Sequence, residues 1–126
     1  MHNQGALAYQ QVARQTVSPR DLEADLLSRA AHRLHEVREN WPASRSDLDE
    51  ALLYNRKIWQ VLVTSVTKED SPLPRQIRQN VANLGIFIFN ETRELMDANH
   101  RVEKLNSLIN INRELAAGLR ARPAEV

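Results

Sequence analysis

The chain has 126 residues and no cysteine, and its 17 Lys and Arg oppose 16 Asp and Glu for a net charge of +1. That length suits one domain able to bury its own core, and the missing cysteine excludes a disulfide framework, thiol catalysis and thiolate metal sites. The balanced charge offers no global field to draw nucleic acid or an acidic membrane, so a charge-driven partner must meet a local patch.

The opening residues MHNQGALAYQQVARQ have neither the basic start nor the apolar centre of a signal peptide, and no run of about 18 apolar residues occurs. The sequence therefore predicts a soluble cytoplasmic protein without a membrane segment. Residues 6–16 form a weak helix with Tyr9, Val12, Ala13 and Thr16 on one side. A firmer start follows at Ser18, Pro19 and Asp21: an N-cap, a proline where its missing N–H costs nothing, and an acid placed to close a capping box. The second helix, about 19–40, is expected to bury Leu22, Leu26, Ala30, Leu34 and Val37, and to fray where Pro42 disfavours helical geometry at Trp41.

Ser46 and Asp49 repeat the capping pattern and open the central helix, about 47–67. Leu48, Ala51, Leu52, Asn55, Trp59, Leu62 and Val66 recur there at steps of three and four, which is one helical face. A loop with two prolines ends at Pro74, and the next helix, about 74–98, carries Ile77, Val81, Leu84, Ile88, Thr92 and Leu95 on its main face. Within it Leu84–Phe89 is rich in β-branched and aromatic residues and reads locally as helix or strand. The helical reading is preferred, because both flanks keep a helical period and an isolated strand would leave its backbone unpaired. After a break at Asn99 and His100, the helix of about 100–120 presents Val102, Leu105, Leu108, Ile109, Asn112, Leu115, Ala116 and Leu119, with fraying at Gly118 and a disordered tail over about 121–126. The fold class is all-α: a bundle of four main helices in one domain spanning residues 1–126.

His32, His35, Glu36 and Glu39 share one side of the second helix at spacings a metal would use, but that side faces away from the apolar stripe, and no other segment offers matching ligands. No glycine-rich phosphate loop, Gly-flanked serine or HExxH pattern appears, so no enzymatic activity is expected. Asn55 and Asn112 each occupy the middle of an apolar face. Either they are buried and satisfy each other or a nearby backbone, fixing register, or they reach a ligand. Trp59 reads as core. Tyr54, Ile58, Ile86, Phe87 and Phe89 are the apolar residues left after the core faces are assigned. Surplus of that kind is covered by a second internal layer, a copy of the chain, or a partner.

Ala8-Tyr9, Ser18-Pro19-Arg20 with Glu23, Ala51-Leu52 with Asn55-Arg56 and Trp59, Leu73-Pro74, Arg75 or Arg78, Asn83-Leu84, Leu108-Ile109-Asn110-Ile111-Asn112 and Gly118-Leu119 follow one another across nearly the whole chain. In that order and spacing the sequence resembles FlaF, a small flagellar biosynthesis regulator of alphaproteobacteria. The Ser65–Pro72 linker resembles the family only loosely, in length and polarity, and the tail after Leu119 is this chain's own. The resemblance implies an all-helical cytoplasmic protein that promotes flagellin synthesis and export, as a flagellin chaperone or as a post-transcriptional regulator opposing FlbT, with no known enzymatic activity or cofactor.

On this resemblance Tyr9, Arg20, Asn55, Arg56, Trp59, Leu73, Pro74, Ile109, Asn112 and Gly118 are motif residues with structural roles. The expected partner is flagellin, held by its helical terminal segments in an apolar groove of Tyr54, Ile58, Ile86, Phe87 and Phe89, with the protein monomeric when bound. The alternatives are flagellin mRNA held by Arg75, Arg78, Arg120 and Arg122, or an adaptor that binds FlbT or export machinery.

Overall fold

In a computed structural model of the chain, the described residues are 19–97 and 101–121. They form α1 (Pro19–Glu39), α2 (Leu48–Val66), α3 (Arg75–Met96) and α4 (Leu105–Arg120), and 3-10 turns at Arg45–Asp47 and Val102–Lys104 lead into α2 and α4. The all-α bundle of four main helices is therefore the observed architecture. No strand occurs among the described residues, and Leu84–Phe89 lies within α3. The expected helix over 6–16, the Ser18 cap, the break at Asn99 and His100, and all of the tail except Ala121 lie outside the described residues.

The α1 helix packs most extensively on α4 and also against α2, which carries α3 on its other side. The central helix thus packs along two neighbours. This is why its buried set is so broad: Leu48, Ala51, Leu52, Asn55, Ile58, Trp59, Leu62 and Val66. Every residue assigned to its face from periodicity is in the core, and Ile58 joins them.

The face of α1 differs from the expected one. Ala24, Leu27, Ala30, Ala31, Leu34 and Val37 are buried, whereas Leu22 and Leu26 are 54% and 39% exposed. Both registers satisfy a helical period. The one chosen places alanines against the neighbouring helices, where small side chains let backbones approach closely and leave the larger leucines of α4 to fill the space.

Two helix starts also differ from expectation. Ser46 does not cap α2: it lies inside the 3-10 turn, and Asp47 is the N-cap without a side-chain hydrogen bond. Because Asp47 N–H already donates to Ser44 O at 2.8 Å, the chain enters α2 pre-wound and a capping box has no free turn to close. Ser44 is the buried serine here, and its Oγ donates to Val37 O at 2.5 Å, tying the loop to the end of α1. Pro74 is the N-cap of α3 in extended geometry (φ −55°, ψ 147°), one residue earlier than the helix itself.

Candidate functional site

The buried polar cluster follows from side-chain chemistry. Trp59 Nε1 can only donate, so Asn112 turns its Oδ1 toward it, at 2.9 Å. The amide nitrogen of Asn112 is then directed at the other side, where it donates to Asn55 Oδ1 at 2.6 Å and to Leu27 O at 3.3 Å. Asn55, Trp59 and Asn112 are fully buried. One side chain of α4 thereby ties together α2 and the backbone of α1. Asn55 and Asn112 satisfy each other through one bond, as one of the two sequence readings proposed, while Asn55 Nδ2 has no hydrogen-bond partner among the described residues.

Gly85 explains how α3 meets α2. It is buried, and a Cβ at this position would overlap Val63 Cγ2 and come within 3.8 Å of Trp59 Cε3. The glycine is a contact surface, and an apolar helix interrupted by a lone glycine was the sequence signal for it. Gly118 is different, with open space around its missing Cβ; it lies in the last turn of α4, which ends at Arg120 as expected.

The five residues set aside as partner contacts fall into separate environments. Ile58 is buried at 8% exposure. Tyr54 is half-buried, with the Arg33 guanidinium 4.1 Å above its ring. Phe89 is half-buried against the core. Ile86 and Phe87 are 61% and 41% exposed, yet at 100° per residue these neighbours face different directions. They do not line one common groove with Tyr54 and Ile58.

A different apolar groove, with a volume of about 550 Å³, runs between the first half of α3 and the second half of α4. Leu73, Pro74, Ile77, Val81 and Leu84 form one wall, and Ile111, Leu115, Gly118 and Leu119 form the other. Arg20, at the start of α1, and Glu114 supply the charged rim. The groove exists because α3 is carried by α2 and α4 by α1, so that α3 and α4 make little direct contact. Sequence reasoning missed it by placing Ile77 and Leu84 in the core; Ile77 is 40% exposed and Leu84 half-buried. Phe87 follows Leu84 by three positions and continues the same flank one turn further. Of the family-motif residues, Leu73, Pro74, Arg20 and Gly118 line this groove, Asn55, Trp59, Ile109 and Asn112 are core, and Arg56 is half-buried. Tyr9 lies outside the described residues.

A second cleft, of about 590 Å³, lies between the end of α1 and the start of α2 and is lined by His32, Arg33, Glu36, Asp47 and Glu50 among others. Its charges are mixed. His32 pairs with Glu36 at 3.7 Å, and His35 shares a hydrogen bond with Arg38 at 3.0 Å. Among the described residues no group of three or more acidic or histidine side chains is arranged to hold a metal. Two of the arginines considered for phosphate contact are engaged in the fold. Arg78 donates to Val66 O at 2.8 Å and to Lys68 O at 3.1 Å, capping the end of α2, and Arg120 pairs with Asp25 at 2.9 Å, linking α4 to α1. Burial raises the pKa of Glu23 above its ordinary value, against a smaller opposing pull from Arg20. No helix among the described residues is long and apolar enough to cross a membrane.

Comparison with curated proteins and with solved structures found no match. A family model described as flagellar protein FlaF matches residues 6–119, which takes in α1, α2, α3 and all of α4 but its last residue. The chain belongs to the FlaF family of flagellar proteins.

Proposed function

We propose that this protein is a flagellin chaperone without a reaction of its own, which receives an amphipathic terminal helix of unassembled flagellin in the groove between α3 and α4. The observation that carries the reading is the groove itself: two apolar walls enclosing about 550 Å³, with Ile77 exposed along it. Helix-in-groove recognition uses anchors three and four residues apart on the ligand, and Ile77, Val81 and Leu84 are spaced to meet them. Family membership supplies the flagellar setting. The engagement of Arg78 and Arg120 within the fold favours this reading over direct capture of flagellin mRNA, and an adaptor role toward FlbT would use an apolar surface of the same kind.

The test measures binding of a synthetic flagellin terminal-helix peptide to the full chain by fluorescence anisotropy at low and high salt. Ile77→Asp, in a protein whose helicity is unchanged, should weaken binding by about tenfold or more, equivalent to about 1.4 kcal/mol, and added salt should change affinity little. Unchanged affinity in the folded variant would reject the groove. An affinity for flagellin mRNA that falls steeply with salt, without peptide binding, would replace the chaperone reading with the RNA one.

A further inference from the structure

We propose that Gly118 decides which helix the α3/α4 groove accepts, because its missing side chain opens the α4 wall to a large apolar residue of the partner. This rests on the groove being the docking site proposed above and adds the chemistry of what it selects. A glycine weakens the interior of a helix relative to alanine, unless a positive φ, a capping position or a close neighbour requires it. Gly118 has no positive φ, and Ala121 is the C-cap of α4. Among the described residues no heavy atom lies within 4 Å of the place its Cβ would take, whereas a Cβ on Gly85 would meet Val63. The missing side chain of Gly118 therefore serves no contact among the described residues, and it opens on the groove.

The walls themselves point to a helical occupant. Packed helices insert each stripe residue into a hole made by residues i, i+3, i+4 and i+7 of the neighbour. Ile77, Asn80, Val81 and Leu84 have this spacing on the α3 wall, and Ile111, Glu114, Leu115 and Gly118 have it on the α4 wall. Side chains stand at every corner of the α3 hole, which suits a compact aliphatic residue. The α4 hole is open at the Gly118 corner and has room for phenylalanine, methionine or leucine. Glu114, at another corner, favours a basic residue beside that anchor.

The test uses the full chain and the flagellin terminal-helix peptide of the assay above. Gly118→Leu fills the open corner and should weaken binding by about tenfold or more through steric exclusion, while melting at or above the parent temperature. Ala117→Leu, which adds the same bulk at an exposed position outside the groove, should bind as the parent does. Truncating the peptide's largest stripe residue to alanine should cost about tenfold against the parent chain and little against Gly118→Leu. Parental affinity in Gly118→Leu, or losses that simply add when both partners are altered, would overturn the proposal. If Ile77→Asp still weakens binding in that case, the groove reading stands and only the role of Gly118 falls; a parent chain that binds no peptide rejects both. A parent chain that dimerises, and becomes monomeric on Gly118→Leu, would make a second copy the occupant and overturn the proposal too.

Discussion

Replacing Asn112 by alanine should destabilise the protein more than replacing Asn55 by alanine, although both are fully buried asparagines of one cluster. Asn112→Ala removes the acceptor for Trp59 Nε1 and the donor to Asn55 Oδ1, leaving two buried polar groups stranded. The Leu27 carbonyl retains its place in the α1 ladder and adds little. At about 1–3 kcal/mol for each stranded group, the loss is about 2–6 kcal/mol before the cavity is counted. Asn55→Ala strands one N–H of Asn112, about 1–3 kcal/mol, and also removes the Nδ2 that has no partner among the described residues. Both substitutions delete the same atoms, so the cavity contributions largely cancel in the comparison. The difference is then about one stranded group, roughly 2 kcal/mol, or about thirtyfold in the folded-to-unfolded ratio. Urea unfolding followed by far-ultraviolet circular dichroism, with equal slopes in all three proteins, measures it directly. Equal losses, or a greater loss for Asn55→Ala, would refute the assignment of Asn112 as the centre of the cluster.

The two helical glycines should respond oppositely to alanine. Gly118→Ala, with open space at its Cβ, should stabilise by up to about 1 kcal/mol, whereas Gly85→Ala meets Val63 Cγ2 and should cost about 1–3 kcal/mol through overpacking, less its helix-propensity gain. Thermal melts of Gly85→Ala, Val63→Ala and the double variant should show a combined loss smaller than the sum. For Glu23, whose folded pKa is raised, protonation favours the native state. The stability linked to it is fully present below the ordinary glutamate pKa of about 4.3 and is lost as pH rises through the folded value. Glu23→Gln should therefore melt above the parent at neutral pH and converge with it in acid, as a melting-temperature series from pH 3 to 8 would show. On the outer face of α3, Phe87→Asp should weaken flagellin-peptide binding while Ile86→Asp leaves it unchanged, because only Phe87 continues the flank of Leu84; anisotropy on both variants separates them.

Periodicity and prolines had already placed the four main helices. Each is long enough for its apolar residues to repeat over several turns, and the prolines at 19, 42 and 74 mark boundaries through their fixed φ and missing N–H. The expected face of the central helix is buried throughout, because packing along two neighbours buries a wide face and little choice of register remained, and the same breadth takes in Ile58, which sequence had set aside as a partner contact. The pairing of Asn55 with Asn112 was legible as one of two readings, since polar groups within apolar stripes must find one another or water, whereas the bond from Trp59 to Asn112 was not, because Trp59 read simply as core.

Which stripe of α1 faces inward was not legible. Leu22-Leu26 and Leu27-Leu34 both repeat helically, and only the close approach of α4 and α2 selects the alanine-rich side. The groove was equally hidden, since Ile77 and Leu84 look like core residues until the helix that would cover them is found to be held elsewhere. The amino-acid sequence by itself determined the helices and their order, because those depend on local spacing and on the chemistry of single side chains. Only the tertiary structure decided that α3 rests on α2 and α4 on α1, because which surface stays open depends on which pairs of helices pack best, a property of no segment taken alone.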